Sequence, residues 1–128
     1  MSTAKSLLGR KAERLAAIRL RQLGYRIVEA NFRCRYGELD IVAWDGDTLA
    51  FVEVRSHATL DFGSPAESIG PRKRARLCLT AQAYLEQIEI PDPNCRFDVV
   101  EIVFAEGQEP SIELIKDAFQ MPDIDIWN

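Results

Sequence analysis

Gly37-Glu38-Leu39-Asp40-Ile41-Val42-Ala43-Trp44-Asp45-Gly46-Asp47-Thr48-Leu49-Ala50-Phe51-Val52-Glu53-Val54-Arg55 is the stretch on which the reading of this chain turns. Two runs rich in β-branched and aromatic residues flank an Asp-Gly-Asp, and an Asp-Gly between two such runs is a strong hairpin signal. Strands are expected at residues 38–44 and 48–55. Successive strand side chains alternate faces, so Glu38 and Asp40 share one, as do Glu53 and Arg55. A two-residue Asp45-Gly46 turn pairs Trp44 with Asp47. It then sets Glu38 directly opposite Glu53, with Asp40 diagonal to it on the same face. An odd-length loop would send the two pairs to opposite faces.

Upstream, residues 4–23 place Leu8, Ala12, Leu15, Ala16, Leu20 and Leu23 at helical spacing, and Gly24 follows as a C′ residue. Residues 25–32 read as a strand, with a turn around Arg35-Tyr36-Gly37. Downstream, residues 56–70 contain Gly63, Pro65 and Gly70 and read as a loop. Pro71 opens a helix reaching residue 87 or 88, with Leu77, Ala81, Tyr84 and Ile88 along one face. Pro91-Asp92-Pro93-Asn94 breaks the chain, and residues 96–104 and 111–115 are two further strands. The order α-β-β-β-α-β-β describes an α/β domain, a mixed β-sheet flanked by helices. One domain is expected over residues 1–117, with an acidic tail laid on the surface over 118–128.

The bulk numbers fit a single globular domain. The chain has 128 residues, 47% hydrophobic and 28% charged, a balance unlike that of disordered chains. No apolar run approaches the roughly 20 residues that span a bilayer, and the first residues lack a secretory apolar stretch, so a cytoplasmic protein is expected. Cys34, Cys78 and Cys95 are far apart without zinc-ligand spacing and read as free thiols. Net charge is −4 but uneven: residues 1–37 carry nine basic and two acidic side chains, whereas residues 86–128 carry eleven acidic and two basic. A second basic cluster is Arg72, Lys73, Arg74 and Arg76. Such asymmetry makes either a phosphate-binding face or simply solvated helix faces.

Carboxylates facing one another in a central sheet repel, and burying them unpaired is costly. Either a divalent cation resolves the conflict for Glu38, Asp40 and Glu53, or this is a solvent-facing polar surface neutralised by Arg55 and other cations. Lys73 lies on the row Lys73, Leu77, Tyr84, at one end of an apolar helix face. Glu13 borders the buried stripe of the first helix at Ala12. Each is also readable as an ordinary flank residue.

The stretches Gly9-Arg10-Lys11-Ala12-Glu13, Gly24-Tyr25, Asn31-Phe32-Arg33, Gly37-Glu38-Leu39-Asp40, Phe51-Val52-Glu53-Val54-Arg55, Phe62-Gly63-Ser64-Pro65, Lys73 and Arg96-Phe97-Asp98 fall in an order that resembles the YraN-like family of small bacterial proteins. That family is placed in the PD-(D/E)XK nuclease superfamily, near the Holliday-junction resolvases. The resemblance covers residues 9–103 and implies a restriction-endonuclease-like fold with metal-dependent phosphodiester cleavage as its ancestral chemistry. Carried over, Asp40 and Glu53 match the motif acids. With the backbone carbonyl of Val54 they would ligate Mg²⁺ or Mn²⁺; Glu13 would complete the set, and Glu38 would be an alternate or outer ligand.

The sequence departs from the motif at Arg55, where lysine is expected. Arginine keeps its charge and cannot act as a base, though its planar fork suits orienting a water or clamping a phosphate. Lys73 is a candidate for the missing amine. His57 is either a proton shuttle or a solvated loop histidine.

Three functions follow: a metal-dependent endonuclease acting on structured or branched DNA, a non-catalytic nucleic-acid-binding domain with a degenerate site, and a protein-interaction module using the acidic tail. Nucleic acid, DNA in the first instance, is the expected partner, no membrane is, and the resolvase-like resemblance admits a homodimer.

Overall fold

Ser6 starts the first helix, α1 (Leu7–Gln22): its hydroxyl accepts the Gly9 N–H at 2.9 Å, satisfying one of the amides that a helix start leaves unpaired. The helix buries Ala12, Ala16 and Leu20, and small side chains at two of these three positions let it approach the sheet closely. Gly24, with φ 93°, follows the helix as the sequence predicts. This computed structural model describes residues 5–58 and 69–119. Five strands follow α1: β1 (Arg26–Cys34), β2 (Gly37–Asp45), β3 (Thr48–His57), β4 (Asn94–Val103) and β5 (Ser111–Phe119). Among the described residues the second helix, α2 (Pro71–Gln87), precedes β4 and has its proline in the first turn, where the missing N–H costs nothing. The order α-β-β-β-α-β-β is the one expected.

The sheet runs β1-β2-β3-β4-β5, with β3 and β4 parallel and every other neighbour pair antiparallel. A parallel pair needs a crossover, and α2 lies in it. The helices cover opposite faces. Ala12, Ala16 and Leu20 pack with Ile41, Ala43, Ala50, Val52, Val100 and Ile102. Leu77, Cys78, Ala81 and Tyr84 pack with Val42, Leu49, Phe51, Phe97 and Val99. Because both faces are buried, the central strands carry unbroken apolar runs, residues 41–44 in β2 and 49–52 in β3, instead of alternating. Cys78 is buried, and Cys34 and Cys95 are half-buried free thiols.

Three expectations need correction. The hairpin turn is Gly46-Asp47, not Asp45-Gly46: Asp45 pairs with Thr48, and Gly46 sits at the first central position with φ 61°, where glycine is favoured. The register therefore slides by two, which changes every partner across the hairpin. Second, β5 does not stop at residue 115. Asp117 bulges the strand with φ 53°, its N–H donates to the buried Asp98 carboxylate at 2.9 Å, and Phe119 then stacks on Phe97 with ring centroids 4.8 Å apart. Residues 118 and 119 thus belong to the sheet; the rest of the expected tail, 120–128, lies outside the described residues. Third, Ser56 and His57 extend β3, while most of the expected loop, 59–68, also lies outside them. Among the described residues no helix is long and apolar enough to cross a membrane.

Candidate metal centre

The site forms where β2 loses its regular alternation. Leu39 faces the α2 core and Ile41 the α1 core, so the strand changes face across Asp40. Opposite it, Asn31 takes φ 57°, and the β1–β2 ladder runs from Ala30–Ile41 to Phe32–Leu39 without an Asn31–Asp40 pair. The irregularity frees Glu38 and Asp40 to turn toward the start of α1. There Glu13, Glu38 and Asp40 bring one carboxylate oxygen each within 4.8 Å of one another.

At their meeting point sits the Lys5 ammonium, 2.8 Å from Glu13 Oε2, 2.6 Å from Glu38 Oε1 and 3.2 Å from Asp40 Oδ1. Asp40 is nearly buried, and its Oδ2 accepts the Val54 N–H at 2.8 Å. Arg33 Nε donates to Glu38 Oε2 at 2.5 Å. One step beyond the last β2–β3 pair, Ile41–Val52, the register brings Asp40 opposite Glu53. Glu38 is therefore not the residue facing Glu53, as the alternative turn would have made it. Lys73 on α2 donates to Glu53 Oε1 at 3.1 Å. Lys5, Glu38, Asp40, Glu53 and Lys73 all border one open cavity of about 280 Å³.

Electrostatics separate the acids. Burial pushes the Glu53 carboxyl up to about 7, the Asp40 charge adds to this, and Lys73 and Arg55 oppose it. Burial also raises Glu13, against hydrogen bonds from Lys5 and Asn31. Burial would raise Glu38 too, but hydrogen bonds from Lys5 and Arg33 outweigh it and hold this carboxyl below its ordinary value. Desolvation opposes the charge on Lys5, yet its bonds to Glu13 and Glu38 prevail and raise its affinity for a proton.

Of the residues singled out in the sequence, Glu13, Glu38 and Asp40 converge, and Glu53 and Lys73 adjoin them as an ion pair across the shared cavity. Val54 contributes its N–H to Asp40. Arg55 is half-buried on β3, close enough to favour ionisation of Glu53, and lies beside Glu101 in the β3–β4 register. His57 is not a solvated loop residue: it ends β3, and its Nε2 pairs with the buried Glu101 carboxylate. Lys5 was not legible as a site residue. It precedes the cap of α1, and no local pattern ties it to positions 38 and 40.

The donor set is all oxygen, which suits Mg²⁺ or Mn²⁺ better than zinc. Three carboxylates already gathered around one cationic group are chemically fitted to hold such an ion.

Residues 12–102 match the model of the family described as "Uncharacterised protein family UPF0102". A UPF0102 protein of Syntrophus aciditrophicus is 45% identical over 113 residues, covering 88% of each chain. One of Geobacter sulfurreducens is 44% identical over 90% of each. One of Clostridium kluyveri is 43% identical over 89% of this chain and 94% of its own. Matched along most of its length by the family model and by these relatives alike, the chain belongs to the UPF0102 family.

Proposed function

We propose that this protein is a metal-dependent, endonuclease-like phosphodiesterase acting on structured or branched DNA, with its centre at Glu13, Glu38, Asp40 and Glu53. The observation that carries the reading is the convergence of Glu13, Glu38 and Asp40, from a helix and a distant strand, around a single cationic position. Lys5 is the positive occupant in this structure, and a divalent ion in its place would satisfy the same three carboxylates. The resemblance to PD-(D/E)XK nucleases supports the same assignment of Asp40 and Glu53.

A bound Mg²⁺ or Mn²⁺ would supply acidification of a water and neutralisation of charge on phosphate oxygens. Asp40, held by the Val54 N–H, and Glu53, held by Lys73, are the ligands whose positions are most constrained. Glu13 and Glu38 close the set on the α1 side. The Lys73 ammonium, which borders the cavity, would hold a phosphate oxygen, and Arg55, near enough to favour ionisation of Glu53, would orient without exchanging a proton. Because Arg55 stands where the motif has lysine, the competing reading is a nucleic-acid-binding domain that has lost turnover.

Calorimetric Mn²⁺ titration of the wild type against Asp40→Ala, followed by both proteins on branched DNA, tests the proposal. Metal binding and cleavage by the wild type alone are expected. Binding of metal without cleavage selects the non-catalytic reading; equal or absent metal binding in both proteins overturns the centre itself.

A further inference from the structure

A groove leads from Glu13 along the seam between α1 and the sheet. It encloses about 310 Å³ between α1 and β1; Arg10, Arg14 and Arg21 line it from the helix, and Ile27, Ala30 and Ile41 from the sheet. The three arginines occupy positions i, i+4 and i+11, one stripe of the helix about 16 Å long at roughly 1.5 Å per residue. Among the described residues none of them has a carboxylate partner. Arg10 donates to the Lys5 carbonyl oxygen at 2.9 Å, which leaves its charge uncompensated. At one end the groove meets the centre: Glu13 borders it and is also one of the three converging carboxylates, and Asn31, which hydrogen-bonds Glu13, borders it as well.

We infer that this groove is the track for the phosphodiester backbone of one nucleic-acid strand, with Arg14 and Arg21 as phosphate contacts that lead the strand to the carboxylates. The inference rests on the proposed phosphodiesterase reading and adds the path of the substrate. Guanidinium forks match phosphate oxygens in pairs, and a row of unneutralised forks matches a ligand whose charge repeats along its length. The apolar floor favours contact with sugar faces over a bare anion. A single row of guanidinium groups matches one backbone, so the expected occupant is a single strand that reaches the centre from a frayed end, flap or branch. DNA and RNA share this backbone chemistry.

The test measures fluorescence anisotropy of short labelled oligonucleotides, single-stranded DNA, single-stranded RNA and duplex DNA, with Ca²⁺ present, across a series of salt concentrations. The proteins compared are the wild type, Arg14→Gln/Arg21→Gln and Arg14→Lys/Arg21→Lys. Both arginines are exposed, so the fold tolerates the changes. Arg10 is left in place because it also secures Lys5.

For single strands each lost phosphate contact flattens the salt dependence, in logarithmic units, by about 0.7, so the glutamine variant should lose about 1.4 while keeping its Mn²⁺ binding. The lysine variant should recover most of that slope. The stronger single-stranded ligand identifies DNA or RNA as the source. Equal affinity and slope in the wild type and the glutamine variant overturn the groove and leave the metal centre standing. Tighter binding of duplex, lost in neither variant, also overturns it. If the wild type binds no oligonucleotide, the groove and the nucleic-acid reading fall together, while the Mn²⁺ titration still reports on the centre.

Discussion

Lys5 is the counter-ion of the three carboxylates in the proposed metal centre. Its ammonium meets all three carboxylates, and a side chain this committed must move for a divalent ion to enter. Replacing it by methionine should therefore have opposite effects on two quantities. The metal-free protein should lose about 1–3 kcal/mol, between the values for exposed and fully buried ion pairs, seen as a lower Tm. Mn²⁺ should bind on the order of tenfold tighter by calorimetry and restore more Tm than it does in the wild type. Unchanged Mn²⁺ affinity in Lys5→Met would show that lysine and metal do not share one position.

Glu53 supplies a pH signature. Its carboxyl is raised from 4.5 to about 7, so the folded chain holds a proton that the unfolded chain releases earlier. This contribution to stability is fully present below pH 4.5 and is lost as pH rises through about 7. In urea titrations of the metal-free protein, Glu53→Gln should remove that part of the decline between these limits. A variant that declines as steeply as the wild type would assign the proton elsewhere.

Among the elements, the strands carry the main division between what the sequence revealed and what it concealed. Pro71 and Gly24 punctuate the helices by backbone chemistry, so their bounds were readable. The hairpin was readable as a hairpin, but Asp45-Gly46-Asp47 offers two adjacent two-residue turns. Strands apolar on both faces, such as Ile41-Val42-Ala43, provide no alternation to choose between them. The face change at Asp40 depends on the left-handed Asn31 of the neighbouring strand, which one-strand periodicity does not contain. Glu13 was visible only as a residue beside a buried stripe, and Lys5 was not visible at all, because both join the centre through tertiary docking of α1.

The β4–β5 edge shows a second concealed device. Asp98, wholly buried, accepts from Tyr25 Oη at 2.8 Å, Arg96 Nε at 2.8 Å and the Asp117 N–H at 2.9 Å. Asp98→Ala strips these donors of their acceptor and leaves Arg96 with less compensation. It should cost about 3–5 kcal/mol in chemical denaturation, with Mn²⁺ affinity of the folded protein unchanged. A loss below about 1 kcal/mol would mean that Asp45, which also pairs with Arg96, takes over.

At the scale of the whole molecule, charge is segregated. The basic excess lies in residues 1–37, which include α1 and β1, and the acidic excess lies from residue 86 onward. The exposed arginines of α1 would favour an anion there despite a net charge of −4. The central parallel pairing of β3 with β4 joins positions more than forty residues apart, such as Thr48 with Asn94. By contrast β1, β2 and β3 form a meander of neighbours in sequence. Local pairings close more readily than distant ones. Lys5, Glu13, Glu38, Asp40 and Glu53 all precede the end of that meander at His57. During synthesis, then, Glu13, Glu38 and Asp40 leave the ribosome together with Lys5, which neutralises them, whereas Glu53 waits for Lys73 on α2. A nascent chain built in this order carries the counter-ion for three of its four clustered acids before α2 and β4 exist.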